Sequence, residues 1–256
     1  MKPLRIFRHV MCEPPGYLCT YLQRHDIDFE VICLDEGLPV PTDLNNVSGL
    51  IFMGGAGSVN EPKDWITQEL ALIRQADTQA IPMLGICFGA QLISKALGGS
   101  VCEGSELEIG WHNVQSVREV GHTATGTSTE KKAWLTGLPE NFIAFQWHAH
   151  TLTVPPGATQ LWRSDCCEQQ GFAKDKVLGM QFHLEVNAES ILDLTHRYAS
   201  DLSRVTHCSQ SVEQINENIQ QRVDKLHDVA DQIYHRWLSV AGIISLDTGN
   251  TEWLSK

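Results

Sequence analysis

Short apolar runs alternate with amphipathic ones through the first third of the chain. Residues 4–10, 29–34 and 49–53 have the length and apolar content of buried strands. Residues 17–25 and 65–75 carry the three- and four-residue apolar spacing of helices. This alternation predicts parallel βαβ units. A further apolar strand over 81–84 runs into Gly85-Ile86-Cys87-Phe88-Gly89 and then into a helix over 90–97, closed by Gly98-Gly99. From 101 to 183 the pattern changes to short strands broken by Gly, Pro and Asn, with Ala133-Trp134-Leu135 as one helical turn. The predicted fold class is α/β, a mostly parallel sheet flanked by helices with an antiparallel excursion.

After Glu185 the pattern is helical, first over 188–202. Beyond a polar break at Thr206-His207-Cys208-Ser209 it continues in a long run ending near Leu238. Val212, Ile215, Ile219, Val223, Leu226, Val229, Ile233 and Trp237 stand three or four apart and make one apolar stripe that must be covered. We read 1–203 as one domain and 204–256 as a C-terminal helical extension packed on it. Docking of the stripe on a second copy, in a homodimer, is the alternative. Residues from 243 onward suggest no element.

Composition narrows the chemistry. A chain of 256 residues with 42% hydrophobic content can bury one sizeable core, or one domain and an appendage. A formal charge of −12 opposes non-specific contact with nucleic acid or an anionic membrane, so the expected partner is a small molecule. No apolar run approaches the roughly 20 residues of a membrane span. Met1-Lys2-Pro3-Leu4-Arg5 leads into a mixed strand rather than the apolar region of a signal peptide, and a cytoplasmic location is expected. The eight cysteines, at 12, 19, 33, 87, 102, 166, 167 and 208, form no C-x-x-C pair and are expected to be reduced thiols. His148-Ala149-His150 offers two imidazoles but no third ligand nearby in sequence, so neither metal nor cofactor is expected.

The segment around Cys87 reads as a nucleophile elbow. Glycines two positions to either side leave room for a strained strand-to-helix turn, the G-x-S-x-G pattern with Cys in place of Ser. A helix N-terminus favours thiolate over thiol, and the Phe88 N–H is a natural oxyanion donor. The plainer alternative is a cysteine serving as a small buried hydrophobe. A base and an orienting group are found in Gln181-Phe182-His183-Leu184-Glu185. Residues two apart at a strand end project to the same side, so Glu185 can hold the His183 imidazole in one tautomer. Gly54-Gly55-Ala56-Gly57-Ser58 follows the strand over 49–53. It lacks the Gly-Lys-Ser/Thr ending of a phosphate loop and the third glycine of a dinucleotide fingerprint, which leaves a backbone donor to an oxyanion as its role.

Met53-Gly54-Gly55 with Ser58-Val59, Leu84-Gly85-Ile86-Cys87-Phe88-Gly89-Ala90-Gln91, Glu108-Ile109-Gly110-Trp111, Trp147-His148 and Gly179-Met180-Gln181-Phe182-His183-Leu184-Glu185 occur in the order seen in one family. Over residues 4–185 the chain resembles the class I, triad-type glutamine amidotransferases, and among them the stand-alone proteins similar to the glutaminase domain of GMP synthase. The resemblance implies a flavodoxin-like sheet and a Cys87-His183-Glu185 triad. Cys87 would attack the side-chain amide of glutamine to form a γ-glutamyl thioester. Gly55 and Phe88 N–H groups would hold the oxyanion. Gly54, Gln91 and the segment Trp147, His148, Ala149 and His150 would contact the bound glutamine.

The chain departs from the family pattern in places. Gly54-Gly55-Ala56 replaces a common Gly-Gly-Pro, removing a fixed φ from the oxyanion loop. His148-Ala149-His150 replaces a common His-Gly-Asp, putting an imidazole where a carboxylate is frequent. Leu184 replaces a proline common in synthetase-linked members, though stand-alone relatives often have leucine. No Ser-Gly-Gly-x-Asp-Ser ATP-pyrophosphatase loop occurs. The leading expectation is glutamine hydrolysis with ammonia passed to a separate acceptor synthase. A γ-glutamyl peptidase is the second reading, and a non-catalytic sensor or assembly module the third.

Overall fold

A computed structural model describes residues 2–117, 128–203 and 206–245. The chain opens with β1 (Leu4–Arg8), α1 (Gly16–Arg24), β2 (Phe29–Cys33), β3 (Gly49–Phe52), α2 (Asp64–Thr78), β4 (Met83–Ile86) and α3 (Phe88–Ala96). Then come β5 (Val101–Ser116), α4 (Ser128–Leu135), β6 (Asn141–Leu152), β7 (Thr159–Arg163), β8 (Gly171–Lys174) and β9 (Val177–Met180). The chain continues through α5 (Ala188–Arg197), α6 (Ala199–Leu202), α7 (Val212–Asn216) and α8 (Ile219–Ala241). Among the described residues the strands form one sheet of order β2-β1-β3-β4-β9-β8-β7-β5-β6. The first five in that order pair in parallel and the rest antiparallel.

Period-two alternation in the parallel strands sends side chains into two separate apolar layers. Ile51, Met53, Leu84 and Ile86 face a layer shared with α1, α5 and α8. Leu50, Phe52 and Met83, from the same strands, face the layer under α2 and α3. The sheet is thus covered on both faces, and the carboxyl ends of β1, β3, β4 and β9 are left as an edge. Open α/β sheets bind ligands at that edge.

The structure alters several expectations. The excursion is built on two long strands, β5 and β6, instead of short ones. Gly104 and Gly110 do not end β5. The backbone shifts register between Glu103 and Glu108, and Gly110 takes φ 108° where a side chain would press on Gln210. The helix expected over 188–202 divides at Tyr198. The long C-terminal run divides too: Ser211 and Gln214 cap α7, and Asn218, at φ 52°, turns the chain into α8. Cys166 and Cys208 are not reduced thiols but a disulfide, their Cα atoms 6.0 Å apart, while Cys12, Cys19, Cys33, Cys87, Cys102 and Cys167 are free. The two loops meet beside β5, a proximity that spacing along the chain does not express.

The stripe of α8 lies on the same apolar layer as α1 and α5. Val223, Leu226, Ile233 and Trp237 are buried there. Trp237 Nε1 donates to Met83 O at 3.1 Å, at the start of β4. Two turns and more toward the other end, the His227 ring stacks on Tyr17 at 3.6 Å and its Nε2 lies 2.9 Å from Val186 O, next to Glu185. Asp231 accepts from Tyr17 Oη and pairs with Arg24, both on α1. No described helix is long and apolar enough to cross a membrane.

Candidate active site

Cys87 stands between β4 and α3 at φ 50°, ψ −107°, a conformation costly for any residue with a side chain. The flanking glycines make it possible. A Cβ on Gly85 would come within 2.7 Å of Gly89 and of Ala90 N, and one on Gly89 would overlap the carbonyl of Phe52 on β3. Cys87 N–H donates to Met180 O at 2.7 Å, tying the elbow to the end of β9. Phe88 N–H opens α3, where the first amides have no partner within the helix. The sulfur is almost buried: Gln181 Nε2 donates to it at 3.5 Å, and Trp147 O, 3.9 Å away, is placed to accept from it.

His183 arrives just past β9. Its N–H donates to Phe145 O, and its Nδ1 lies 2.7 Å from Glu185 Oε1. The second oxygen of Glu185 accepts from Leu184 N–H at 3.0 Å, so the carboxylate is fixed at both ends. The remaining ring nitrogen, Nε2, is buried without a conventional hydrogen bond and faces the Cys87 sulfur. Burial alone would lower the pKa of His183. The charges of Glu185 and of the sulfur outweigh it and hold the imidazole well above its ordinary value.

The remaining residues singled out in the sequence divide into two groups. Gly54 and Gly55 lie at the end of β3 beside this cluster: a Cβ on Gly54 would come within 3.1 Å of His183 Cε1. Gln91 donates from Nε2 to Gln181 Oε1 at 3.2 Å and to His150 O at 3.3 Å, so the 147–150 backbone borders the nucleophile. Trp147 extends its indole N–H to Asp201 Oδ2 at 3.2 Å. Ala149 is partly buried against the α1 and α8 layer. His150 adds its charge to the groups that lower the Glu61 carboxyl, after the Ser58 N–H and Lys63.

His148 behaves differently from its neighbours. Its imidazole is committed to Glu108 Oε2 at 3.0 Å through Nε2 and to His150 O through Nδ1, and so is not free for a ligand beside Cys87. Burial would raise the Glu108 carboxyl, but His148, and after it the Ser164 hydroxyl, hold it below its ordinary value.

Residues that the motifs did not mark also meet here. His9, at the carboxyl end of β1, is buried beneath the glycine loop, its Nδ1 3.0 Å from both Met53 O and Gly54 O. Its Nε2 sits 3.1 and 3.2 Å from the two oxygens of buried Glu69. A strand-end position could have flagged His9. Glu69 shares the spacing of buried Ile66 and Ile73 on α2, a charge on an apolar face. Glu13 Oε2 lies over the open face of Gly54, and burial, the largest influence, raises its carboxyl. A cavity of about 650 Å³ opens alongside, lined by Met11, Cys12, Pro14, Asn187, Glu189 and Asp193 among others. Among the described residues, three sets of His, Cys and Glu donors lie within metal-ligand reach of one another, around Cys166 and Glu108, and none includes Cys87, His183 or Glu185.

An α/β sheet that presents a cysteine on a strained elbow, with a histidine and a glutamate at the adjoining strand end, defines the class of protein. A model of the class-I glutamine amidotransferase family matches residues 17–191, more than half of the chain, and the chain belongs to that family. It is 32% identical over 170 residues to a glutamine-hydrolysing GMP synthase of Thermomicrobium roseum, covering 62% of this chain and 28% of that one. It is 30% identical over 169 residues to gamma-glutamyl peptidase 4 of Arabidopsis thaliana, covering 64% of each. The crystal structure of a glutamine amidotransferase from Methylobacillus flagellatus matches with a TM-score of 0.85 at 30% identity, over 94% of this chain and 95% of that one. The chain therefore spans just over a quarter of the synthase and just under two thirds of the peptidase.

Proposed function

We propose that the protein hydrolyses the side-chain amide of glutamine, releasing glutamate and passing ammonia to a separate acceptor synthase. The observation that carries this reading is the strained Cys87 elbow facing an imidazole whose other nitrogen is held by Glu185. The nucleophile of this reading is the Cys87 sulfur, with the imidazole of His183 as the acid that faces it. It attacks the amide carbon, and the developing oxyanion is received by the Phe88 and Gly55 N–H groups. His183 gives its proton to the departing nitrogen, and ammonia leaves behind a γ-glutamyl thioester. Water then attacks the thioester, His183 takes the water's proton, and glutamate and the thiolate are released. Glu185 keeps Nδ1 protonated throughout, so Nε2 is the atom that moves the proton.

The likeness to a gamma-glutamyl peptidase supports a second reading, in which the same thioester forms from a γ-glutamyl peptide. The two share the acyl half of the substrate and differ in the leaving amine. One pair of measurements separates them. Labelling with 6-diazo-5-oxo-norleucine, located by peptide mass spectrometry, should modify Cys87 alone and be blocked by excess glutamine. The ratio of kcat/KM for glutamine to that for a γ-glutamyl dipeptide then chooses the leaving group. Absence of an adduct together with turnover of neither substrate refutes both.

A further inference from the structure

Among the described residues outside the candidate active site, metal-ligating side chains gather where two turns meet beside β5. In the first, Ser164 Oγ accepts from Cys166 N–H at 3.3 Å and Cys167 N–H at 3.0 Å. In the second, Thr206 Oγ1 accepts from Cys208 N–H at 3.1 Å. Each turn thus fixes a cysteine two residues after a hydroxyl. The second turn is pinned to β5, since Ile109 N–H donates to Cys208 O and Gln210 N–H to Ile109 O, both at 3.0 Å. Cys166, His207 and Cys208 bring their donor atoms within 4.8 Å of one another.

Two neighbouring sets also satisfy that distance, but their donors are engaged. In the set of Glu108, His148 and Cys167, Glu108 accepts from Ser164 and Gln170, and His148 has both nitrogens occupied. In the set of Glu108, His112 and Cys166, His112 Nε2 is 3.0 Å from Ile109 O. His207 differs: its side chain is 74% exposed, and Glu106 Oε1 lies 3.6 Å from its Nδ1, beyond hydrogen-bond distance.

We propose that Cys166, Cys208 and His207 form a thiolate site for a borderline-soft divalent cation, of which Zn²⁺ is the type, open when the cysteines are reduced and closed when they form the disulfide. Two thiolates and an imidazole are a ligand set that favours Zn²⁺ over hard cations. The Cα separation of 6.0 Å suits the disulfide. It also allows the sulfurs to part to about 3.8 Å, the edge of a tetrahedron with metal–sulfur bonds near 2.3 Å. The Glu106 carboxylate, 3.6 Å from His207 Nδ1, is a candidate for the fourth position. An external dithiol supplies the two electrons and two protons that turn the disulfide into two thiols, and is itself oxidised to a disulfide. The cation then displaces both thiol protons and bonds the sulfurs and one ring nitrogen.

The test uses the full chain, reduced with a dithiol that is then removed under argon and titrated with Co²⁺ as a spectroscopic stand-in for Zn²⁺. Reduced protein should develop sulfur-to-cobalt charge-transfer absorption saturating near one equivalent, and added Zn²⁺ should bleach it. The oxidised protein should show none. Cys208→Ser should abolish the band, His207→Ala should weaken binding by about tenfold or more, and Cys33→Ser should leave it unchanged. Absence of the band in reduced protein, its survival in Cys208→Ser, or loss of near-ultraviolet circular dichroism on reduction overturns the proposal. None of these readouts depends on glutamine hydrolysis, so they stand or fall apart from the proposed activity.

Discussion

Replacing Glu69 with alanine should destabilise the protein most at mildly acidic pH and least at alkaline pH. The His9 side chain is 1% exposed and that of Glu69 0%. Met53 O and Gly54 O can only accept, so Nδ1 of His9 carries a proton. The Glu69 carboxylate can only accept as well, so Nε2 carries another, and the buried ring is an imidazolium. Burial lowers the pKa of His9. The charge and hydrogen bonds of Glu69, with the two carbonyls, more than reverse this, and the net direction is upward. A group whose pKa is raised by folding stabilises fully below its unfolded value, about 6.5, and loses that contribution as pH climbs to the folded value. Over that interval the loss is about 1.4 kcal/mol per pH unit.

Removing one partner of a buried pair costs about 3–5 kcal/mol, against a total stability of about 5–15 kcal/mol. Urea unfolding of wild type and Glu69→Ala at pH 6 should show the whole of this difference, and at pH 9 a smaller one, with similar m values. Glu69→Gln is the control, since its amide can donate to a neutral Nε2 and the loss should be smaller. A difference independent of pH, or one that grows toward alkaline pH, would refute the assignment of an imidazolium beneath the glycine loop. Because His9 is also what fastens Met53 O and Gly54 O, in a loop that has Ala56 where relatives commonly have proline, Glu69→Ala should also lower kcat for ammonia release more than it changes KM, and Glu69→Gln should do so less.

Other perturbations probe the same architecture at different points. Gly89→Ala places a Cβ on the Phe52 carbonyl; it should cost about 1–3 kcal/mol by calorimetry and abolish labelling of Cys87, and unchanged labelling would show that the elbow tolerates the side chain. Glu185→Gln removes the charge that raises the His183 pKa, so the alkaline limb of kcat/KM, where the imidazolium is lost, should move to lower pH; a limb that stays in place contradicts the proposed proton carrier. Trp237→Ala should cost about 3–5 kcal/mol in urea unfolding, whereas Trp237→Phe, which removes the N–H donated to Met83 O, should cost about 0.5–1.5 kcal/mol; a neutral Trp237→Ala would detach α8 from the core.

Much of the fold was legible because its signals are local. The alternation of Leu50, Ile51, Phe52 and Met53 between two layers follows from the period of a strand. The glycines around Cys87 announce a turn whose crowding can be described from sequence, and the glycine contacts with Phe52 O and Ala90 N are that crowding in three dimensions. His183 and Glu185 read as a pair because they stand two positions apart, on the same side of an extended segment. The breaks at Tyr198 and Asn218 were not legible, since neither residue is a strong helix breaker and the apolar stripe continues in register across 218.

What stayed hidden is carried by pairs whose partners are remote in the chain. His9 and Glu69 lie sixty residues apart, and each alone is unremarkable, a histidine after a strand and a glutamate on a helix. Their meaning comes from the parallel order β1-β3-β4, which sets the end of β1 under the loop after β3 and beneath α2. The partner of His148 was hidden for a related reason. Strand periodicity says that it and His150 share a face, but not that Glu108, on the neighbouring strand β5, stands in register opposite His148 to claim its imidazole. The register of β5 on β6 depends on the irregularity between Glu103 and Glu108, and a one-residue slip would present the other set of side chains. The turn at 206–209 docks on Ile109, just past that irregular stretch and on the edge of β5 that β7 meets only at Gln115 and Ser116, and there Cys208 meets Cys166. The polar network behind the 147–150 segment and the cysteine pair thus both depend on pairings of β5 with remote segments, and neither could be read from spacing along the chain.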